Sequence, residues 1–467
     1  MRAPRPLSSA ADWIRHELPG RLPGPPGNVD RRLLWGLGAA AGVALVAWAL
    51  ASLLGGDDEP EVETRVVTVA VESDEPEAAP VGPLGFPLVA TRNTTRIGGP
   101  DPVTDAAAIA LATHPRSPTA PPTEAAVLVD ADDPYAGIAA SVLAGPPLRA
   151  PILIGGSGEL PDVTADALAK LAPQGGSGPA DAAVYRVGGV AAPSGLSSEQ
   201  VGSGSAAEIA ADLDELRSRL FRAPPRHLLV ASGEDAAYAM PAAAWTARSG
   251  DPVLFSGRDE VPDATLEALA RHRGTPIYVL GPPSVISDEA VRELERVSPG
   301  VTRIGAEGAV ANSVAFARFA DSTFGWNIND PGHGLVIANG ARPLDAAAAA
   351  PLSASGKWGP LLVLDAPGVL PEDLRTFLLD IKPGFEEDPT RAVYNHVWLI
   401  GDATAIGARV QAEVDELAEL AEVGPGAGGP VGEAPRTPAP AQPGQAPAPE
   451  AEPQPGQDGS GNRGARP

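Results

Sequence analysis

"TRIGGPDPVTDAAAIALA" (Thr95–Ala112) and "TRIGAEGAVANSVAFARFA" (Thr302–Ala320) begin alike, with a strand-like Thr-Arg-Ile, a glycine, a short turn and an Ala-rich run. A third version, "VGSGSAAEIAADL" (Val201–Leu213), stands midway between them. Gly98, Gly202 and Gly305 thus recur about every 100 residues, the size of a small α/β unit. Other landmarks keep that spacing. "APILI", "DPVLF" and "GPLLV" carry Pro151, Pro252 and Pro360. "ELPDVTADALAK" (from Glu159), "EVPDATLEALAR" (from Glu260) and "VLPEDLRTFLLD" (from Val369) follow them. "VYRVGG", "IYVLGP" and "VWLIGD" close the units at Gly188, Gly281 and Gly401. The chain contains three tandem copies.

One copy is readable as alternating strands and helices. "AAVLVDADD", "HLLVASGED" and "GLVIANGAR" are short apolar runs ending in turns, the pattern of strands buried on both faces. Ala-rich stretches follow ("AGIAASVLA", "AAYAMPAAAW", "LDAAAAAPLSA"), and their small side chains let a helix lie close on a sheet. The later helices open on proline, whose missing N–H costs nothing in a first turn, with Asp at the positive end of the helix dipole. Alternation of this kind predicts parallel sheets joined by right-handed crossovers. The expected fold class is α/β: three tandem Rossmann-like repeats, over 91–196, 197–300 and 301–422.

The flanks differ in kind. Residues 33–56, "LLWGLGAAAGVALVAWALASLLGG", carry no charge and are long enough to cross a bilayer as a helix. Arg31 and Arg32 precede them and Asp57, Asp58 and Glu59 follow, so residues 1–32 form a basic cytoplasmic segment and the rest is expected outside the membrane. An uncleaved single-pass anchor is the expectation, because the stretch before the apolar run is long for a signal peptide. Gly38 and Gly42 have the GxxxG spacing that packs membrane helices together, and this is compatible with a homo-oligomer. Residues 57–90 are acidic and Pro-rich, read as an extended linker. Residues 423–467 are Pro/Ala/Gly-rich and read as a disordered tail.

The ordered landmarks resemble the cell wall-binding repeat 2 family, whose units occur in threes in Gram-positive surface proteins. Arg96-Ile97-Gly98 and Arg303-Ile304-Gly305 match its opening. Pro151-Ile152-Leu153, Pro252-Val253-Leu254 and Pro360-Leu361-Leu362 match its "PILL" element, and Gly340, Arg342 and Asp345 stand in its middle motif. The resemblance covers nearly all of residues 92–420. It implies Rossmann-like modules that hold an anionic wall polymer noncovalently, with the nine "PILL" residues and Gly340, Arg342 and Asp345 as candidate polymer contacts. The Asp of the middle motif is present only as Asp345, and Tyr238 and Ala136 take its place in the other copies.

Composition restricts the chemistry. A net charge of −25 argues against nucleic acid as a partner, since affinity for phosphate backbones comes from Lys and Arg. It also makes an anionic polymer an awkward ligand without cations, sugar contacts or local basic spots such as Arg303, Arg318 and Arg342. No cysteine is present, which removes thiolate nucleophiles and Cys-ligated metals. The six histidines have no metal-ligand spacing, and neither a nucleophile elbow nor a Walker sequence occurs. "GGSGE" (Gly155–Glu159) reads as a structural turn more readily than as a phosphate cradle, because Glu159 and Asp162 would repel an anion. "DADD" (Asp130–Asp133) and "NINDPGHG" (from Asn327) lack calcium-loop spacing. Trp245 and Trp398 read as core residues, while Trp326 and Trp358 sit in turn-rich contexts where a sugar ring could stack. The expectation is therefore a non-enzymatic envelope protein without cofactors, facing the cell wall and binding its polysaccharide. A protein–protein scaffold that kept the fold and lost the polymer is the alternative.

Overall fold

Strand β3 (Ala126–Asp130), helix α2 (Pro134–Ala140) and strand β4 (Ile152–Gly155) begin the first complete run of the motif in the computed structural model. The structure describes residues 88–116, 121–176, 181–354 and 359–423. The membrane-helix assignment to 33–56, most of the acidic linker, the tail, and Trp358 lie outside them. No described helix is long and apolar enough to cross a membrane.

Each unit builds one parallel sheet. In the first, β4, β3, β5 (Val184–Val187) and β6 (Ser198–Val201) lie in that order, and α3 (Asp162–Leu171) connects β4 to β5. The second repeats the arrangement as β8 (Val253–Ser256), β7 (Leu228–Ser232), β9 (Ile277–Leu280) and β10 (Val301–Ile304). Its helices are α5 (Ala236–Ser249), α6 (Asp263–Arg271) and α7 (Asp288–Val297). The third has β12 (Leu361–Leu364), β11 (Gly334–Asn339) and β14 (His396–Ile400), with α9 (Leu344–Ala354), α10 (Glu372–Asp380) and α11 (Ala408–Ala418). Its fourth strand comes from the beginning of the described chain. β2 (Thr94–Ile97) runs parallel to β14, pairing Thr94 with Val397 and Ile97 with Ile400, and β1 (Leu88–Ala90) adds antiparallel outside it.

Sequence copies and sheets are thus out of phase by one strand. The Arg-Ile strand that opens a copy finishes the sheet of the copy before it, and the first such strand finishes the third sheet. The helix after each opening strand belongs to the next unit. α1 (Pro102–Thr113) packs on β4 and α3, α4 (Ala206–Phe221) on β8 and α6, and α8 (Ala309–Arg318) on β12 and α10. Asp101 caps α1 by accepting from Thr104 N at 2.9 Å, and Ser205 with Glu208 forms a capping box on α4.

The units meet at the three Ala-rich helices. α2, α5 and α9 pack pairwise against one another, each lying between the first and second strands of its unit. Almost every side chain of α9 is buried, from Ala346 to Leu352. Gly137 of α2 is small by necessity: a Cβ there would stand 3.0 Å from the Ala347 methyl. Gly145, after α2, faces the α5 backbone so closely that a Cβ would come within 2.2 Å of the Ala247 carbonyl oxygen.

The "PILL" prolines have a local explanation. β4, β8 and β12 are edge strands of their sheets, where a residue without an N–H is tolerated at the strand start. The carbonyls of Pro151, Pro252 and Pro360 accept from Val127, Leu229 and Val336 on the neighbouring strand, at 2.9–3.1 Å. The "PDVT" and "PDAT" threonines are equally specific. Thr164 Oγ1 donates to the Ile154 carbonyl at 2.7 Å and Thr265 Oγ1 to the Phe255 carbonyl at 2.6 Å, tying helix to strand.

Two consequences are measurable by thermal and urea unfolding. Replacing Thr164 or Thr265 by Val removes a buried donor and is expected to cost about 1–3 kcal/mol. Ala347→Leu overfills the junction of the three helices and should cost about 1–3 kcal/mol, whereas the same change at an exposed helical alanine such as Ala165 should be close to neutral.

Candidate functional site at the carboxyl edges of the sheets

Sheets of this order have a topological switch point between the first and third strands of the unit, where successive connections leave in opposite directions and ligands of open α/β sheets settle. The structure has three such points, at the ends of β3 and β5, β7 and β9, and β11 and β14. The last residue of each first strand, or its polar neighbour, binds local backbone. Asp130 accepts from Asp132 N at 3.0 Å and Gly189 N at 2.8 Å. Ser232 accepts from Asp235 N at 2.9 Å. Asn339 accepts from Ala341 N at 2.9 Å and donates to the Ala405 carbonyl at 2.7 Å. Asp133 and Asp235 cap the helices that follow. The "DADD" carboxylates therefore organise a turn and a helix start, and no metal-holding cluster occurs among the described residues.

The fourth strand contributes a second repeated device. Arg96, Gln200 and Arg303 each donate to the carbonyl of the glycine that closes the neighbouring third strand, Gly401 (3.0 Å), Gly188 (2.8 Å) and Gly281 (2.8 Å). Arg96 goes further: it is buried, and also donates to the Asp402 and Ile406 carbonyls and to Gln411 Oε1. The arginine of the opening motif is a clamp on the β14–α11 loop. Arg303 is held in the same way and Arg318 pairs with Asp380, so neither is a free basic spot.

Among the described residues, only the third switch point gathers charged side chains into the interior. Arg342, in the turn before α9, forms an ion pair with Asp345 of α9 (Nε to Oδ2, 3.0 Å) and donates from Nη2 to Asp105 of α1. Both carboxyl groups have 0% exposed side-chain area and the guanidinium 14%. Gly99 N donates to Asp105 Oδ1 at 2.5 Å. Gly98 and Gly401 line the same spot. A Cβ on Gly98 would overlap Asp105, and one on Gly401 would lie 3.1 Å from the Arg342 guanidinium. Burial, then the Asp345 carboxylate, pushes Asp105 up to about 10, overcoming Arg342 and the Gly99 N–H. Burial also raises Asp345, against the pull of Arg342.

The residues read from the sequence are thus split. Arg342 and Asp345 come together here, whereas Gly340 donates its N–H to the Leu364 carbonyl at 2.7 Å and faces Val363 and Ala237. Pro151, Ile152, Leu153, Pro252, Val253, Leu254, Pro360, Leu361 and Leu362 are all buried in edge strands, where their side chains fill the core and offer no surface to a polymer. Their contribution to any site is a rigid strand. Asp105 was not among the expected site residues. Its signal is a carboxylate opening an otherwise apolar run, at a position that carries Ile209 and Asn312 in the other copies. Trp245 and Trp326 pack inward: Trp245 stands 4.4 Å from the ring of Phe324 and 5.3 Å from Trp326, in a cluster with Phe316, so Trp326 is half-buried among aromatic rings. Two surface cavities of about 250 and 360 Å³, beside Thr113–Arg116 and beside Arg271 and His272, lie away from the switch points. The buried histidines are satisfied, His227 by Asp251 and His272 by Asp214.

With the geometry in hand, the chain can be set beside known proteins. No family model and no curated protein sequence matches it. Several solved structures share its fold, among them two from one organism. Cwp8 from Clostridium difficile superposes with a TM-score of 0.54 at 20% identity, over 70% of this chain and 52% of that one. Cwp6 from Clostridium difficile gives 0.55 at 16% identity, over 69% and 48%. The chain therefore spans about half the length of the solved structures it matches.

Removing the central cation tests the site's electrostatics. Arg342→Ala leaves two buried carboxyl groups without a counter-charge and is expected to cost about 3–5 kcal/mol near neutral pH. Protonation relieves the repulsion, so the deficit in Tm should shrink as pH falls from 8 to 4. A deficit independent of pH would show that the guanidinium contributes packing alone.

Proposed function

We propose that this chain is a membrane-anchored, extracytoplasmic protein that holds cell-wall polymer noncovalently at the carboxyl edges of its three units, without catalysis. The observation that supports this reading is the fold shared with Cwp8 and Cwp6, which are cell wall proteins, over some 70% of the chain. The ordered recurrence of the "PILL" element in three copies and of the Arg-Ile-Gly opening in two supports the finer assignment to wall-binding repeats. The apolar stretch 33–56 with its basic amino-terminal flank supports the anchor.

The ligand-facing chemistry is backbone-rich and acidic. The loop after β4 exposes Gly156 and Gly158, with open space where each Cβ would project, and Gly368 after β12 is equally bare. Such loops present N–H and C=O groups to sugar hydroxyls. A chain of net charge −25 would meet an anionic polymer through those neutral contacts or through bridging cations. The inward commitment of Asp130, Ser232, Asn339 and Arg303 favours the alternative, a scaffold that retains the fold without the polymer.

The two readings separate in one experiment. Full-length protein in detergent is incubated with purified cell walls before and after acid extraction of secondary polymers, at low and high salt, with and without calcium. Wall binding is expected, with loss after extraction. Gly156→Trp and Gly368→Trp place bulk over the edges at positions without steric conflict, and should weaken binding about tenfold each, some 1.4 kcal/mol, with unchanged Tm. Absence of binding in every condition would leave the scaffold reading.

A further inference from the structure

The Asp105–Arg342–Asp345 junction joins two parts of the chain that are far apart in sequence. Asp105 belongs to α1, directly after the strand β2 that completes the third sheet, while Arg342 stands in the turn before α9 and Asp345 in its first turn. Two carboxyl groups with no exposed area face one guanidinium. If both were ionised, the buried cluster would hold a net negative charge in a low-dielectric setting, where an unpaired charge is strongly disfavoured.

We propose that Asp105 and Asp345 share a single proton, and that this protonated Asp105–Arg342–Asp345 junction is a pH-sensitive latch holding the amino-terminal strand β2 and helix α1 onto the third unit. The other ionisable groups in range are few. Asp101 caps α1, Asp402 follows β14, and Arg96 of β2 donates to backbone beyond them. β4 carries no ionisable side chain, α9 carries none besides Asp345, and Asp162, Asp166 and Lys170 of α3 are exposed. No second cation therefore offsets the pair, apart from the committed Arg96.

The sign follows from linkage. A buried acid whose pKa is raised on folding stabilises the fold fully below its unfolded value, near 3.8, and loses that contribution as pH rises through its folded value, for Asp105 about 10. The latch is closed in acid and neutral surroundings and loosens in alkali. The equivalent pairs in the other units are not ionisable carboxyl pairs: Ile209 with Ala136, and Asn312 with Tyr238. Alkaline opening is consequently confined to β2 and the third sheet.

Hydrogen exchange on the intact protein tests this, comparing β2 (Thr94–Ile97) and β10 (Val301–Ile304) between pH 6 and 10 after correction for intrinsic exchange rates. Protection of β2 should fall at least tenfold more than that of β10. Asp345→Asn leaves one carboxylate to one guanidinium and should abolish the selective loss, as should Asp105→Asn. Parallel loss in both strands of the wild type would overturn the proposal even if neither variant folds. A selective loss that persists in a folded Asp345→Asn variant would overturn it as well. Neither outcome bears on wall binding, which is measured separately.

Discussion

Close approach of three helices through their smallest side chains is the constraint on which the rest of the structure depends. With aromatic residues at only 4% of the chain, large rings fill the space between units at few places, as where Trp245 meets Phe316, Phe324 and Trp326. The alternative is to bring backbones near enough that methyl groups and Cα atoms make the contacts. Dispersion is weak per atom pair but large when many atoms sit at van der Waals distance. Gly137 against Ala347, and Gly145 against the Ala247 carbonyl, mark the places where even one extra carbon has no room. The sheets then radiate from this junction with their first two strands anchored to it, and the remaining helices cover the outward faces.

That junction also explains why each opening strand and its helix part company. The strand completes a sheet already built, and the following helix begins the cover of the next. Continuity of the chain is converted into continuity between units, twice along the sequence and a third time by β2 returning to the last sheet. Four-residue strands would be marginal as isolated elements, so the sheet and its neighbours have to supply their stability. The buried Arg96 makes β2 part of the third unit rather than a loose extension, since its donors are satisfied only by carbonyls and an amide oxygen of that unit.

Much of this was legible in the sequence. The three copies, the parallel strands, the Ala-rich helices and the Pro-initiated edge strands all follow from periodicity and from what proline and alanine permit. The phase of the units was not, because a tandem repeat reads the same wherever its boundary is drawn; only strand pairing decides that the first Arg-Ile strand closes the last sheet. The "PILL" side chains could be seen to be apolar but not to be wholly enclosed. Arg303 looked like a free cation because a sequence cannot show that the nearest carbonyl, at Gly281, lies one strand away. Asp105 was hidden by its surroundings: an acid in an alanine run reads as a helix-dipole partner, and its true neighbours are more than two hundred residues distant.

The divergence of the three equivalent junctions bears on what the ionic one does. Ile209 facing the Ala136 position, and Asn312 facing that of Tyr238, show that the fold closes without a charge at this place. A buried ion cluster is in any case poor evidence for stability, since apolar side chains of similar volume often do as well. What a charged junction does supply is discrimination. β2 arrives from the amino terminus and takes beside β14 the place that β6 and β10 take beside β5 and β9. Docked elsewhere, α1 would press Asp105 against Ala136 or Tyr238 with no arginine to meet it, and the desolvated carboxyl would oppose that arrangement. The ionic pairing thus selects one sheet out of three for the strand that closes the ring, in the way a single buried polar residue fixes register in a coiled coil.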